Sequence, residues 1–230
     1  ISTVILTSTI VVLLLVTIVF ANNFLNARMA ENEFSAMKQF MQTVGLQIDD
    51  VAWIVGRTQT IRYASKFGQV SFESVALNYT VYVNGTAYFA ANTTGILLFN
   101  MPISKYSLGN NYHERLFPSS RSFLQIGTSA PVCHVYVIEK LPMADGNFIR
   151  VVVAPSIRML NSTISTGQNV SRYFKFYLPI LSSGTNPRLS QSVTLMGKTV
   201  SVKIEGGVNT VKINVSFPKS SLGFDNAFFN

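Results

Sequence analysis

The residues that could perform acid–base or nucleophilic chemistry are few and scattered. The chain has two histidines, His113 and His134, and one cysteine, Cys133, among 230 residues. Cys133 and His134 are adjacent, so on a strand their side chains point to opposite faces and cannot form a nucleophile–base pair. The run His113-Glu114-Arg115 falls in a predicted loop, with no second histidine or carboxylate placed beside it. The sequence therefore predicts no catalytic residue.

Patterns for metals and nucleotides are also missing from the sequence. A single cysteine excludes an intrachain disulfide and a four-cysteine zinc site. No HExxH, His-x-His or calcium-loop pattern occurs, and no glycine-rich phosphate loop is present. The GTSAPVC run does not match the nucleophile turn of a serine hydrolase. We therefore predict no metal site, no cofactor and no enzymatic activity.

The charge composition is unusual for a cytosolic enzyme. Charged residues make up 12% of the chain, about half the share in a typical soluble protein. The net charge is +8, which would permit binding to nucleic acid or another acidic partner. However, the basic residues lie singly along strand-like segments and form no basic run or RNA-binding motif. No specific nucleic-acid partner is predicted.

The first structural element that the sequence predicts is a long uncharged segment at its start. Residues 1–21 contain no charged side chain, and Arg28 is the first charge in the sequence. At 1.5 Å per helical residue the segment spans about 30 Å, the thickness of the hydrocarbon core of a bilayer. It lacks the basic start and small-residue cleavage site of a secretory signal peptide. The segment is therefore predicted to be a helix that can enter a membrane.

The helical pattern continues beyond this segment as far as Gly56, which is a suitable residue to end a helix. Apolar residues at three- and four-residue spacing form one stripe along the helix, and such a stripe needs a partner surface. The stripe consists of Phe34, Met37, Met41, Val44, Ile48, Val51 and Val55. Asn22 and Asn23 could loosen the helix locally. We expect one helical unit over residues 1–56.

This N-terminal pattern, followed by a β-rich remainder, resembles the type IV pilin superfamily and more closely the archaeal type IV pilins. The resemblance implies that a prepilin peptidase cuts before the apolar segment, which makes Ile1 the mature N-terminus. It also implies that an assembly ATPase and a membrane platform move the helix from the membrane into a filament. Bacterial relatives usually begin with Phe and have Glu as the fifth mature residue, whereas this chain has Ile1 and Ile5. That departure favours an archaeal-type filament or an anchor that is not a pilin.

In such a filament the helices of identical subunits pack together in the core. The residues predicted to pack there lie along the whole helix: Ile5, Val12, Leu14, Val16, Phe20, Phe24, Phe34, Met37, Met41, Val44, Ile48 and Val51. Hydroxyl side chains such as Thr7 and Thr17 fit a close approach between helices. The alternative is a signal-anchor helix that stays in the membrane and tethers an external domain.

Residues 57–230 change to the alternating and short apolar runs of β-strands. About ten strands are predicted, with a loop-rich stretch near residues 105–130 and turns that include Asn84-Gly85 and Asp145-Gly146. The candidate strands cover residues 60–67, 69–77, 79–85, 86–91, 95–101, 132–141, 147–154, 170–181, 192–197, 198–206 and 208–217. This spacing predicts a β-sandwich, immunoglobulin-like in layout. The expected fold is therefore α+β: a long apolar N-terminal helix followed by an all-β sandwich head.

Six Asn-x-Ser/Thr sequons all lie after the helix, which is where an externally displayed domain would carry N-linked glycans. They begin at Asn78, Asn84, Asn92, Asn161, Asn169 and Asn214. Glycans or neighbouring subunits would also cover a surface that is poor in charge. The aromatic tail, with Phe224, Phe228 and Phe229, is expected to dock on its own head or on an adjacent subunit.

Together these features favour an extracellular filament subunit, inserted in the membrane before assembly, whose partner is itself and whose filament serves adhesion or contact between cells. Two alternatives remain. One is a membrane-tethered sandwich that binds sugar or protein without polymerising, and the other is an archaellin of a motility filament.

Overall fold

The computed structural model describes residues 2–120, 122–139, 146–184 and 191–218, without the side chains of residues 89–92. In this part of the chain one helix and eleven strands follow in order. Their bounds are α1 (Ser2–Ala52), β1 (Thr58–Arg62), β2 (Gln69–Val83), β3 (Thr86–Pro102), β4 (His113–Phe117), β5 (Leu124–Ile126), β6 (Cys133–Glu139), β7 (Phe148–Pro155), β8 (Ile157–Thr166), β9 (Asn169–Tyr177), β10 (Ser192–Met196) and β11 (Val211–Ser216).

The helix runs without interruption past Asn22 and Asn23, so these residues do not break it. It contains no proline, and its one glycine, Gly45, lies in the buried half. The chain leaves the helix at Gly56, whose φ of 83° suits a residue without a Cβ. The Gly56 amide donates a hydrogen bond to the carbonyl of Gly197 at 2.7 Å, which ties the helix end to the head.

The strands form three sheets. The largest is antiparallel with the order β11-β2-β3-β7-β6-β4, and the smaller two are β5-β8-β9 and the pair β1-β10. The strand pair β5-β8 is parallel, whereas β8-β9 is an antiparallel hairpin. The fold is α+β with a β-sandwich-like head, as the sequence predicts. The immunoglobulin-like layout stays a prediction.

The C-terminal half of the helix packs on one face of the six-stranded sheet. On β6, Cys133, Val135 and Val137 point toward the helix, while Tyr136 and Ile138 belong to a second cluster on the opposite face. Every residue of β6 is buried, because both faces of the sheet are covered at its centre. The C-terminal half of the predicted helical unit therefore belongs to the same hydrophobic core as the head. The boundary at residue 56 separates helical from β-rich sequence but does not divide the core.

Several predicted elements differ in detail. Two pairs of predicted strands are single long strands, β2 and β3, and the predicted strand at 198–206 pairs with no other strand in the described residues. The run His113-Glu114-Arg115 lies on β4 and not in a loop, because it pairs with β6. The Asn84-Gly85 hairpin is confirmed. Asp145 and the aromatic tail lie outside the described residues.

Candidate functional site

The first half of the helix carries a large exposed apolar surface. Sixteen large apolar side chains between Val4 and Met29 are exposed by 47–74%. The helix is long and apolar enough to cross a membrane, and the apolar window is not buried at all within the chain. At 1.5 Å per residue, residues 2–29 form a rod about 42 Å long. We call these residues the free helix.

Several hydroxyl side chains of the free helix donate hydrogen bonds to backbone carbonyls of the same helix. Thr9 donates to the carbonyl of Ile5 at 2.8 Å, and Thr17 donates to the carbonyl of Leu13 at 2.8 Å. Thr7 donates to the carbonyl of Thr3 at 2.9 Å. A hydroxyl bonded to its own helix leaves no donor that needs water. These residues therefore do not prevent the free helix from entering an apolar environment.

The free helix ends where the head begins to cover it. From Ala30 onward one stripe of the helix is buried against the sheet, and its members are exposed by 3% or less: Ala30, Phe34, Met37, Met41, Val44, Ile48 and Val51. We call residues 30–52 the bound helix. The predicted stripe is confirmed as far as Val51, whereas Val55 lies past the helix end and is exposed.

This burial corrects half of the predicted filament-core set. Six of its members are buried within the chain itself and are not available to neighbouring helices: Phe34, Met37, Met41, Val44, Ile48 and Val51. The reason is that the adjacent strands β7 and β6 present a continuous apolar surface to the helix. The other six lie on the free helix and are exposed by 54–74%: Ile5, Val12, Leu14, Val16, Phe20 and Phe24. Ile1 lies outside the described residues.

A carboxylate fixes the head to the start of the bound helix. Glu33 accepts hydrogen bonds from the amides of Lys66 (2.8 Å), Phe67 (3.0 Å) and Gly68 (3.1 Å) and from the hydroxyl of Ser65 (2.6 Å). Partial burial raises the pKa of Glu33, but these four donors outweigh it and lower the pKa below its usual range. The sequence gives no sign of this contact, because the donors lie more than thirty residues away.

Gly45 allows the bound helix to approach the sheet closely. A Cβ at this position would lie 2.9 Å from Cys133 Sγ and 3.0 Å from Val135 Cγ2. The Cys133 thiol donates a hydrogen bond to the Gly45 carbonyl at 3.1 Å. Burial, with the Asp49 carboxylate as a smaller cause, raises the pKa of Cys133 to about 12. The cysteine is therefore a packing residue in this structure.

The end of the bound helix is held by a charged and aromatic cluster. Arg158 Nη1 donates to Asp49 Oδ2 at 2.8 Å, and the indole N–H of Trp53 donates to Asp49 Oδ1 at 2.6 Å. The Arg158 guanidinium also lies 4.7 Å from the ring centre of Tyr177, whose ring meets that of Trp53 edge to face. This cluster connects the helix to the β8–β9 hairpin.

The two candidate chemical groups do not come together as a reactive site. His134 is buried on the face of β6 opposite Cys133, and its Nδ1 lies 3.3 Å from Arg115 Nη1. Burial and the Arg115 charge lower the pKa of His134 to about 4, although a hydrogen bond to the Ser122 carbonyl acts in the other direction. Among the described residues no group of three or more His, Cys, Asp or Glu side chains could hold a metal ion.

The sequon asparagines lie on five strands of the head, β2, β3, β8, β9 and β11, and at the turn between β2 and β3. Four of them have exposed side chains: Asn84, Asn161, Asn169 and Asn214. Asn78 is half-buried, and the side chain of Asn92 lies outside the described part. The Asn84 side chain is also a structural contact, because its Oδ1 accepts hydrogen bonds from the amides of Asn209 (2.9 Å) and Thr210 (3.2 Å).

These features define an α+β protein with an exposed apolar N-terminal helix attached firmly to a β-rich head. No protein-family model, curated protein or solved structure matches the chain.

Proposed function

We propose that the chain is the structural subunit of an extracellular filament and that it polymerises through the free helix. The observation that carries the proposal is the exposed apolar area. Sixteen side chains, each about half exposed or more, amount to on the order of 1,500 Å² on one chain, beyond the roughly 800 Å² per partner of a standard protein interface. A monomer in water rarely exposes such a patch.

The free helix is suited to two successive environments. In lipid, its apolar side chains and self-bonded hydroxyls cost little to bury. In a filament, the same surface would pack against the free helices of identical subunits, including Ile5, Val12 and Leu14. Separation of a subunit into water would then expose the whole apolar rod, at a cost on the order of tens of kcal/mol.

The firm junction between helix and head supports polymerisation over simple tethering. The Glu33 contacts, the buried stripe and the Asp49–Arg158 pair fix the head along about 30 Å of helix. A regular helical polymer requires a constant orientation between the part that packs and the part that is displayed. A tether needs only a span followed by a flexible linker.

In this proposal the head forms the outer surface of the filament and mediates adhesion or contact between cells, with N-linked glycans on its exposed sequons. Biogenesis would involve a prepilin peptidase that leaves Ile1 at the mature N-terminus, then an assembly ATPase with a membrane platform. An archaellin of a motility filament would use the same design. A membrane-tethered binding protein is the second candidate, because a helix that can span a bilayer also serves as a permanent anchor.

The test is a charge placed in the free helix. Val12→Asp or Leu14→Asp should abolish filaments in sheared cell-surface material viewed by electron microscopy, because a carboxylate cannot be buried among apolar helices without a partner. Ile126→Asp is the matched control, since Ile126 is an exposed apolar residue of the head. That variant should assemble normally.

The alternatives predict different outcomes. Filaments that persist in both free-helix variants would show that the free helix is not in the filament core. Wild-type protein found only in detergent-extracted membranes, with no filament, would favour the tethered binding protein. If loss of the filaments changed swimming but left attachment of the cells unchanged, the chain would be an archaellin of a motility filament.

A further inference from the structure

Charge is distributed unevenly over the head. Two exposed stretches, residues 161–175 and 198–212, contain five basic side chains and one acidic side chain: Arg172, Lys175, Lys198, Lys203, Lys212 and Glu205. The remaining described residues contain nine basic and seven acidic side chains, which nearly balance. We call these two stretches the basic surface.

Both stretches are attached near the C-terminal end of the helix. The ring of Tyr177, at the end of β9, lies 5.0 Å from the ring of Trp53 at the end of the helix. Gly197, which precedes the second stretch, donates to the carbonyl of Arg57 at 2.9 Å. The basic surface therefore lies at the opposite end of the helix from the apolar residues of the free helix.

Four of the five cations of the basic surface are available for binding. Every residue of 161–175 and of 198–212 is exposed. Within the described part of the chain Arg172, Lys175, Lys198 and Lys212 form no ion pair. Lys203 lies 5.5 Å above the ring of Tyr88. Such unbalanced charge attracts an anionic partner and repels a second copy of the same surface.

Apolar and aromatic side chains are interspersed with these cations. Tyr173 and Phe174 are each about half exposed on β9, and Val202 and Ile204 are exposed by 79% and 86%. The two faces of the hairpin each combine one ring with one cation: Tyr173 with Lys175, and Phe174 with Arg172, because side chains alternate along a strand. Of the two sequons on this hairpin, Asn161 lies opposite Phe174, whereas Asn169 lies on the Tyr173 face, about 13 Å from Tyr173 along β9.

We propose that the basic surface binds an acidic polysaccharide. Arg172 and Lys175 lie on opposite faces of β9, so each face of the hairpin presents one cation beside one ring. Nucleic acid is much more densely charged, with one charge per 1.7 Å of duplex, and would call for closer cations. A polymer of uronic acids has sparser charge, and the C–H faces of its sugar rings can lie on Tyr173.

The binding test uses the full unglycosylated chain in nonionic detergent micelles, so it does not require the proposed assembly. Immobilised polygalacturonate should retain the protein at low salt and release it as the salt concentration rises. Neutral dextran should retain none. Arg172→Gln with Lys175→Gln should weaken binding to polygalacturonate about tenfold. Tyr173→Ala should weaken it several-fold with the salt dependence unchanged.

A matched double variant controls for net charge. The double variant Lys66→Gln with Lys105→Gln removes the same amount of charge near Glu33. Glu33 lies roughly 30 Å along the helix from Trp53, so this variant should change binding to polygalacturonate less than twofold. Equal losses in both double variants, equal retention by dextran or no retention by polygalacturonate would overturn the proposal. Tighter binding to a thymidine oligonucleotide would replace it with a nucleic-acid site. None of these results depends on whether filaments form.

Discussion

The two halves of one helix have opposite environments although both are rich in apolar residues. Large apolar side chains of the free helix are exposed by 47% or more, whereas those of the buried stripe on the bound helix are exposed by 3% or less. Residues 2–21 of the free helix carry only apolar and hydroxyl side chains on every face, but the bound helix is apolar on one stripe and mostly polar on its outer face. The distribution of apolar residues around a helix, and not their number, shows what covers it.

Because of this difference, the two halves of the helix have separate roles: the bound helix stabilises the head, and the free helix is available for lipid or for assembly. The bound helix has a single apolar stripe because one partner, the six-stranded sheet, lies on one side of it. The free helix needs an environment that surrounds it, which lipid or several neighbouring helices can provide. Folding of the head and assembly of the filament can therefore be disturbed separately by mutation.

The largest effect is expected from a charge in the bound helix. Met41 is completely buried between the helix and the sheet, so Met41→Asp should cost more than about 4 kcal/mol and leave little folded head. Val12→Asp, the same kind of change in the free helix, should leave head stability unaltered. Denaturation in detergent micelles, followed by the fluorescence of the single tryptophan, Trp53, measures both.

That pair of variants tests whether the two halves are independent. If Val12→Asp lowered the free energy of unfolding of the head as much as Met41→Asp, the free helix would contribute to the fold of the single chain. The most apolar 18-residue window of the helix is not buried at all within the described residues, so that result would contradict the division at Ala30.

A smaller effect is expected where the helix and sheet are closest. Gly45→Val adds a branched side chain within 3.0 Å of Cys133 and Val135, so it should destabilise the head by about 2 kcal/mol. Ala36→Val is the matched control, because Ala36 lies on the exposed face of the bound helix and only helix propensity should change. Cys133→Ala should restore part of the lost stability. Equal costs at both positions would show that Gly45 does not set the packing distance.

The sequence predicts the helix and its stripe well but not the partner of the stripe. Spacing alone shows that Phe34, Met37 and Met41 share a face. It cannot show whether that face meets a neighbouring helix or the chain's own sheet, since both are apolar. The continuous apolar runs of β6 and β7 were the available signal, because strands buried on both faces need a cover on each side.

Contacts between distant parts of the chain were not predictable from the sequence. The donors to Glu33 come from a loop between β1 and β2, and nothing in their side chains indicates an anion partner because three of them are backbone amides.

The strand β8 was missed for a local reason, since its outer part is polar and exposed on both faces and lacks the alternation that marks a half-buried strand.

The smallest effect is expected at the boundary of the two halves. Glu33→Gln removes the negative charge that accepts four hydrogen bonds and should reduce the free energy of unfolding by about 1 kcal/mol at neutral pH. The folded state lowers the pKa of Glu33, so its stabilisation is complete above the unfolded pKa of about 4.3 and disappears as the pH falls through the lower folded value. The gap between wild type and variant should therefore close in acid. Glu31→Gln, which removes a partly exposed pair with Arg28, should show a smaller difference. A difference as large as that of Glu33→Gln, or a Glu33→Gln difference that persists in acid, would mean that Glu33 does not fix the head to the helix through its charge.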